Sequence, residues 1–286
     1  MYEKKITLKK NSGFLAGAAF LAATAYLYIQ NNSIGVTTKY ISVTNLPKAL
    51  EGMKIAHVSD IHLPVRESRM NAIVRSVLKE RPDFIFLTGD LVETSEHIEN
   101  SGLETLMKRL AIIAPSYAVP GNHEYEPFAS IQEWKEILER AGVHVLVNQS
   151  AEAEYGGESF VIAGLDDNTE YKTGRIAGLD PGEKRLIFLL THRPNHWDTL
   201  CESDAQPKPD AVFCGHAHGG LWRVPGIGGL ASPQQGLFPK YSEGVHLFED
   251  ADKRISLIVS RGLGNTGLTF RVNNRPEIIS AVFNAL

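Results

Sequence analysis

From Met53 onward, short apolar runs alternate with segments of helical periodicity. The first part of this pattern predicts strands at 53–59, 84–88, 116–119 and 144–147, separated by helices at about 69–79, 98–110 and 131–141. The second part is richer in strands, which are predicted at 159–163, 186–190, 211–214, 245–248, 255–260 and 278–283. Short apolar strands with helical crossovers indicate an α/β protein with two packed sheets or one large sheet.

An uncharged run, Asn11 to Asn32, precedes these elements. Its apolar core, Phe14 to Ile29, would be about 24 Å long as a helix, slightly short of a hydrocarbon layer of about 30 Å. The run predicts a signal-anchor or transmembrane helix over residues 1–32, although Ala23-Thr24-Ala25 also fits the cleavage site of a signal peptide. The lysines before the run predict a single-pass protein of the cell membrane with its main domain outside the cytoplasm: Lys4, Lys5, Lys9 and Lys10.

Residues 33–50 are polar and contain Pro47, which predicts a linker that leads into a first strand before the fold proper. Residues 51–286 are then expected to form one domain, since about 240 residues with no internal repeat suit a single core.

Composition narrows the class of protein. Hydrophobic residues make up 43% of the chain and charged residues 22%, which is typical of a globular domain with a sizeable core. The net charge of -4 excludes a general nucleic-acid binder, which needs a clustered basic face. The two cysteines, Cys201 and Cys214, form neither a disulfide framework nor a CxxC site.

Polar residues collect where the predicted strands end. Five loops carry them: Asp60-Ile61-His62, Gly89-Asp90, Gly121-Asn122-His123-Glu124, His192 and Gly215-His216-Ala217-His218. The carboxyl ends of strands in an open α/β sheet line the ligand crevice, so these loops are expected to meet at one edge. Each fragment alone is weak, because a histidine at a strand end is more often structural.

Together these loops supply enough ligands for two metal ions. Seven side chains offer oxygen and nitrogen atoms and no thiolate: Asp60, His62, Asp90, Asn122, His192, His216 and His218. Such a set suits two divalent ions, Mn, Fe or Zn, without choosing among them. A pair of ions can clamp both oxygens of an in-line phosphoryl displacement. The ions would also make the pocket locally positive, so a phosphate ester would be attracted although the protein is acidic.

The five loops in this order resemble the calcineurin-like metallophosphoesterase superfamily, from about Met53 to the C-terminus. The resemblance implies a four-layer αββα sandwich and a catalytic domain over residues 51–286. It further implies that Asp60, His62 and His218 bind one ion, that Asn122, His192 and His216 bind the other, and that Asp90 bridges them. His123 would act near the leaving group, as general acid or as a stabiliser of developing charge. Glu93 stands where the family often shows Asp or Arg.

Longer stretches look like the membrane-associated bacterial branch of that superfamily. They are 215–220, 225–229, 235–241, 260–264 and 274–278. The branch includes extracytoplasmic phosphodiesterases and a UDP-2,3-diacylglucosamine diphosphatase. The resemblance therefore implies a membrane-anchored enzyme that hydrolyses a phosphodiester or a pyrophosphate, with the bilayer and a phosphate-containing small molecule or lipid as partners. A phosphomonoesterase that uses the same centre is the alternative.

The loop from Gly219 to Phe238 is apolar, glycine-rich and free of acidic residues. It would either contact the bilayer interface, with Arg223 near a headgroup phosphate, or fold over the core with its apolar side chains buried. Arg261 and Arg271 would either bind substrate phosphate or form surface salt bridges. The remaining histidines match no motif and are interpreted as structural: His57, His97, His144, His196 and His246.

Overall fold

The computed structural model describes residues 2–93, 98–125, 130–168, 179, 182–195, 197–199, 207–250, 253–265 and 270–286. Within these ranges the longer helices are α1 (Tyr2–Asn32), α2 (Glu67–Glu80), α3 (Leu103–Ala111) and α4 (Ile131–Arg140). Short 3-10 turns lie at Lys48–Leu50, Ile98–Asn100, His123–Tyr125 and His218–Gly220.

The strands of the first half are β1 (Gly35–Val43), β2 (Lys54–Val58), β3 (Phe84–Thr88), β4 (Ser116–Val119), β5 (Val143–Val145), β6 (Gln149–Tyr155) and β7 (Glu158–Gly164). Those of the second half are β8 (Ile187–Leu190), β9 (Ala211–Cys214), β10 (Arg223–Val224), β11 (Gly228–Gly229), β12 (Ala231–Ser232), β13 (Gly236–Leu237), β14 (Gly244–Asp250), β15 (Lys253–Val259) and β16 (Glu277–Ala285).

Two six-stranded sheets carry the fold. The first has the order β1-β16-β2-β3-β4-β5 and is parallel except where β16 runs antiparallel to β2. The second has the order β14-β15-β9-β8-β7-β6, with a parallel centre from β15 to β7 and antiparallel pairs at both edges. The prediction of an α/β protein with two packed sheets is confirmed.

Three apolar clusters show how the layers stack. One joins α2, α3 and α4 to the outer face of the first sheet, and contains Trp134 of α4. A second lies between the sheets, where Phe86 of β3 packs edge-on against Phe213 of β9 with ring centroids 5.0 Å apart. A third covers the far face of the second sheet, where Trp197 and Tyr241 are buried. Because both faces of β3 are covered, all five of its residues are buried, as is usual for a parallel strand.

The first residues after α1 correct one expectation. Residues 33–50 were predicted to be a linker that leads into a first strand before the fold proper, but most of this segment is itself a strand of the first sheet, since Gly35–Val43 forms β1 and pairs along its whole length with β16. Ile41 and Val43 are fully buried between the sheets. The strand resembles a linker in sequence because it is an edge strand, so its polar residues face solvent.

Two other elements differ from expectation. The predicted helix at 98–110 is a 3-10 turn followed by α3, and Gly102 between them adopts a left-handed φ of 82°. The strand β6 was not predicted, because its sequence is polar and only Ala153 is buried at the edge of the second sheet.

Helix α1 contains one segment, Gly13–Asn32, that is long and apolar enough to cross a membrane, with a mean hydropathy of 1.4. Its described side chains are largely exposed, including Phe14, Leu15, Phe20 and Leu21.

Candidate metal centre

The seven predicted ligands lie beyond the carboxyl ends of strands from both sheets, and six of them are brought together in groups. Asp60 and His62 follow β2, Asp90 follows β3 and Asn122 follows β4, whereas His192 follows β8 and His216 and His218 follow β9. Six of the seven are buried; Asn122 is partly exposed. The site therefore lies where the edges of the two packed sheets meet, and each sheet supplies part of it.

The ligand atoms form two groups that share one carboxylate. One group has four ligand atoms within 4.8 Å of one another, from Asp60, His62, Asp90 and His218. The other has three, from Asp90, His192 and His216. The Oδ2 atom of Asp90 lies 3.1 Å from Nε2 of His192 and 3.9 Å from Nε2 of His62. A carboxylate common to both groups is the arrangement that a bridged pair of ions requires.

The buried atoms of this region that have no hydrogen-bond partner include Nε2 of His62 and Oδ1 of Asn122. Leaving a buried polar atom unpaired costs about 1–3 kcal/mol, and a coordinated cation would remove that cost. Imidazole, carboxylate and amide donors without thiolate suit Mn, Fe or Zn. The residues present therefore fit the predicted pair of divalent ions.

The backbone at the ligands is unusual. Five of the seven have φ in the left-handed region: Asp60 (51°), His62 (53°), Asp90 (50°), His216 (64°) and His218 (46°). Such conformations cost about 1–3 kcal/mol each for residues other than glycine, and they cluster at functional sites. These five residues all belong to the two groups of candidate ligands.

Neighbouring polar groups fix the ligands in place. His192 donates from Nδ1 to the carbonyl of Thr88 at 2.7 Å, which leaves Nε2 on the side of Asp90. The backbone N–H of His216 donates to Oδ1 of Asp60 at 2.9 Å, and that of His123 donates to Oδ1 of Asp90 at 3.0 Å. Each carboxylate is thus held by the loop of a neighbouring ligand.

Asp90 and His192 each shift the pKa of the other at the centre. Burial alone would raise the pKa of the Asp90 carboxyl, but the positive charge of His192 beside it holds that pKa well below its usual range. Burial would lower the pKa of His192, and Asp90 instead raises it to about 10. Cations bound here must displace protons from such histidines.

Glu124 was not assigned a role from the sequence, although it belongs to the Gly121-Asn122-His123-Glu124 loop. It is fully buried and accepts backbone N–H bonds from Gly121 (2.6 Å), Asp90 (2.9 Å) and Leu91 (2.8 Å). It therefore ties the loop after β3 to the loop after β4. Burial and the charge of Asp90 raise the pKa of Glu124 to about 7.

His123 lies at the rim of the centre. Its ring is 16% exposed, and Nε2 is 3.9 Å from Oδ2 of Asp90. Glu93 contacts two rings at once: Oε1 is 3.3 Å from Nδ1 of His123, and Oε2 is 2.9 Å from Nδ1 of His62. Glu93 therefore orients both the candidate general acid and a candidate ligand.

The arginines singled out in the sequence are paired with carboxylates or carbonyls. Arg223 and Arg261 both form ion pairs with Glu243, and Arg261 also pairs with Glu277 at 2.5 Å. Arg271 is fully buried instead of lying at the surface, and donates to the carbonyls of Gly264 (2.6 Å) and Arg261 (2.7 Å).

The histidines interpreted as structural lie apart from the ligand groups where they are described. His57 is buried, and its Nε2 is 2.8 Å from the Thr88 hydroxyl. His144 stacks on Tyr117, and His246 donates to the carbonyl of Glu243. His97 and His196 lie outside the described residues.

Comparison with known proteins agrees with this geometry. Residues 53–220 match the family model described as calcineurin-like phosphoesterase. An uncharacterized metallophosphoesterase of Aquifex aeolicus is 29% identical, with 89% of this chain and 94% of that protein covered. The phosphodiesterase YaeI of Escherichia coli is 28% identical over 79% of this chain and 80% of its own length. A zebrafish (Danio rerio) transmembrane protein with a metallophosphoesterase domain is 30% identical over 85% of this chain and 55% of its own length.

Proposed function

The chain belongs to the calcineurin-like phosphoesterase family, and from this premise we propose that it is a membrane-anchored hydrolase of phosphodiester or pyrophosphate bonds. The family assigns it a binuclear metal site and the hydrolysis of phosphoester bonds. The observation that carries the proposal is the position of Asp90, which belongs to both ligand groups.

Asp60, His62 and His218 would hold one ion, Asn122, His192 and His216 would hold the other, and Asp90 would be shared between them. Two divalent ions held there would supply Lewis-acid polarisation of the phosphoryl group and a nucleophile from water at neutral pH.

His123 is assigned the role of general acid, which protonates the leaving oxygen. Its ring stands at the exposed rim of the centre, where it can deliver a proton from Nε2. Glu93 contacts the ring on the Nδ1 side and so orients it. Because Glu93 also contacts His62, it fixes the distance between the acid and the metal ligands.

The charges around the site favour a phosphodiester over a phosphomonoester. A phosphate monoester is a dianion near neutral pH and gains from an additional free cation. Arg223 and Arg261, the candidates for that cation, are paired with Glu243. The E. coli relative, a phosphodiesterase by name, supports the same preference. A nucleotide-linked lipid such as UDP-2,3-diacylglucosamine fits the proposal as a pyrophosphate substrate.

Turnover of two aryl phosphates tests the preference. The purified chain with Mn²⁺ is expected to hydrolyse bis(4-nitrophenyl) phosphate much faster than 4-nitrophenyl phosphate. The reverse order would replace the diesterase with a phosphomonoesterase. Asp90→Ala and His123→Ala are each expected to remove nearly all turnover, and only Asp90→Ala should lower the bound metal measured by elemental analysis. Full activity in either variant would overturn the assignment.

Helix α1 is proposed to be the anchor. The hydroxyl of Tyr26 donates to Asn273, and Asn31 bonds both the N–H and the carbonyl of Arg271, so the folded domain holds the end of the helix. Cleavage after Ala25 would separate the apolar core from these contacts. The zebrafish relative, which is named a transmembrane protein, supports an anchor.

The lysines that precede the candidate membrane span Gly13–Asn32 favour an extracytoplasmic domain. A nucleotide-linked lipid precursor is instead expected at the cytoplasmic face. Fusions of alkaline phosphatase and of green fluorescent protein to the C-terminus decide the side, since only the first is active outside and only the second fluoresces inside. Active phosphatase is the expected result.

A further inference from the structure

Five large apolar side chains stand exposed beyond the metal centre: Trp222 (47%), Ile227 (65%), Leu237 (74%), Phe238 (63%) and Phe270 (48%). We refer to these five residues as the apolar patch. Trp222, Leu237 and Phe270 also line a groove of about 430 Å³ whose other walls are Gly220, Leu221, Leu230 and Ala231. A soluble surface rarely carries so many large apolar groups together unless they meet a partner or a membrane.

The fold itself displays these side chains. Four of the five lie on or beside the two-residue strand pairs β10-β11 and β12-β13, which are too short to bury them. The indole N–H of Trp222 donates to the carbonyl of Phe270 at 2.9 Å, and the two rings are 5.6 Å apart. The polar atom of the tryptophan is therefore already satisfied, so the exposed part of the ring loses no hydrogen bond in hydrocarbon.

The patch lies beside the end of α1. Asn273 accepts a hydrogen bond from the hydroxyl of Tyr26 in α1, and its Nδ2 donates to the carbonyl of Arg223 at 3.2 Å. The side chain of Asn273 therefore links α1 to Arg223, which is next to Trp222 in the chain. Trp222 itself forms a parallel bridge with Val272. Arg275, which is exposed, donates to the carbonyls of Ser33 and Ile34 and adds a basic group at this end of the helix. Aromatic and basic residues are enriched at the membrane interface.

The patch is also close to the metal centre. Trp222 follows His218 by four residues, which limits their separation to about 14 Å. Asn274 fixes the turn between them, because its Nδ2 donates to the carbonyls of His218 (2.7 Å) and Leu221 (3.0 Å). A phosphate group held at a bilayer surface in contact with the patch would thus be within reach of the ligand cluster.

We propose that the apolar patch inserts into the membrane leaflet at which α1 ends, and that the metal centre takes its substrate, an amphiphilic phosphoester, directly from that leaflet. This inference rests on the proposed function, a membrane-anchored phosphoesterase. The occupant of the patch is the acyl-chain region of the bilayer, because the candidate membrane helix and the patch are joined by hydrogen bonds into one surface.

Trp222 provides a direct test of insertion. The chain has three tryptophans, and Trp134 and Trp197 are at most 1% exposed. The full chain is reconstituted into phosphatidylcholine vesicles with and without dibrominated acyl chains, and its fluorescence is compared with that of the Trp222→Phe variant. The difference in fluorescence between the wild type and the variant is the emission of Trp222. Brominated lipid is expected to quench most of this emission, and acrylamide in the aqueous phase is expected to quench little of it. Strong acrylamide quenching without bromolipid quenching would overturn the proposal.

A second copy of this chain is the competing occupant. In that case Trp222 would be protected from both quenchers, and light scattering in detergent would show a dimer that Leu237→Ser dissociates. That result would overturn insertion.

Turnover tests the consequence for the substrate. The double variant Leu237→Ser/Phe238→Ser is compared with the wild type and with Ile112→Ser, which removes an 85% exposed apolar side chain outside the patch. Hexadecyl 4-nitrophenyl phosphate in vesicles and soluble bis(4-nitrophenyl) phosphate are the substrates. The activity of the double variant should fall about tenfold on the vesicle substrate and change little on the soluble one. The Ile112→Ser control should keep its activity on both substrates.

The outcomes separate the two proposals. Equal activity of the double variant and the wild type on the vesicle substrate would overturn the capture of substrate from the leaflet. A wild type that hydrolyses neither diester would instead contradict the proposed function, whereas the quenching of Trp222 is measured without turnover.

Discussion

Close backbone approach shapes the metal centre at the level of single residues. A Cβ atom on Gly215 would lie 1.9 Å from Oγ of Ser59 and 2.4 Å from Oδ2 of Asp60, and one on Gly121 would lie 2.3 Å from Oδ1 of Asp90. Both glycines precede a candidate ligand in the chain and touch a carboxylate from another loop. The glycines in the sequence motifs are therefore needed for space, because the carboxylates pass directly over the neighbouring backbone.

Gly215→Ala is expected to displace Asp60 and to reduce both metal content and turnover by at least about tenfold, since overpacking a close contact costs about 1–3 kcal/mol. Gly35→Ala is the matched control, because its added Cβ would meet only ordinary contacts of 3.5 Å or more. Elemental analysis and activity on bis(4-nitrophenyl) phosphate measure the effect. Wild-type metal content in Gly215→Ala would show that the loop relaxes without moving the ligand.

His57 makes stability depend on pH. Burial lowers its pKa to about 3, against 6.5 in an unfolded chain. The unfolded state therefore binds a proton that the folded state refuses, so the contribution is complete above pH 6.5 and is lost as the pH falls towards 3. The loss approaches about 1.4 kcal/mol per pH unit within that window.

His57→Gln keeps a side-chain N–H for the Thr88 hydroxyl but cannot take up a proton. Chemical denaturation of the full chain in detergent at pH 7.5 and 5.5 compares the two proteins. Between pH 7.5 and 5.5, the free energy of unfolding is expected to fall by about 1.4 kcal/mol more in the wild type than in the variant. Equal losses would mean that His57 titrates normally in the folded protein.

At the level of elements, the edge strand β1 joins the candidate anchor directly to the core. It begins three residues after α1 ends and then pairs with β16 over nine residues, Gly35 to Val43. Since β16 lies beside β2, and β2 leads into Asp60 and His62, the anchor is connected to the ligand loops through the sheet. Under the proposed anchoring, a flexible linker would leave the domain free to rotate above the membrane, whereas the pairing of β1 with β16 would restrict that rotation.

Ile41→Ala tests this role of β1. Ile41 is fully buried and Tyr40 is 70% exposed on the opposite face of the same strand. The alanine at 41 is expected to lower the free energy of unfolding by about 2–5 kcal/mol, and Tyr40→Ala by no more than about 0.5 kcal/mol. Denaturant titration measures both. If Ile41→Ala lowered the free energy of unfolding as little as Tyr40→Ala does, residues 33–50 would behave as the linker that their polarity predicts.

At the level of the whole molecule, the metal centre connects the two sheets. The first sheet supplies the loops of Asp60, Asp90 and Asn122, and the second supplies those of His192 and His216. Bound ions are therefore expected to stabilise the packing of one sheet on the other as well as the loops, because a ligand that binds only the folded state raises its stability by mass action.

Removal of metal with EDTA should lower the melting temperature by about 10 °C and abolish activity, if the ions are present at roughly a thousand times their dissociation constant. Added Mn²⁺ should restore both. Asp90→Ala is the control and is expected to melt at nearly the same temperature with and without the chelator. A wild type that is insensitive to EDTA would contradict a structural contribution of the ions.

The amino-acid sequence alone determined the parts of this protein that depend on local pattern. Alternating apolar runs predicted the strands of both sheets, and five short motifs identified the candidate ligands and their place after strand ends. Local signals failed at one edge strand of each sheet, because β1 and β6 bury few residues and so lack the apolar alternation by which strands are recognised.

Tertiary structure decided whatever depends on contacts between distant residues. The sharing of Asp90 between two groups, the contact of Glu93 with both His62 and His123, and the four N–H groups gathered by Glu124 need loops that are far apart in sequence. The exposure of the apolar patch was equally undetermined, since a glycine-rich apolar loop is buried or displayed according to what packs over it. Sequence fixes the chemistry of each side chain, but the free energy of its position depends on neighbours that only the folded chain supplies.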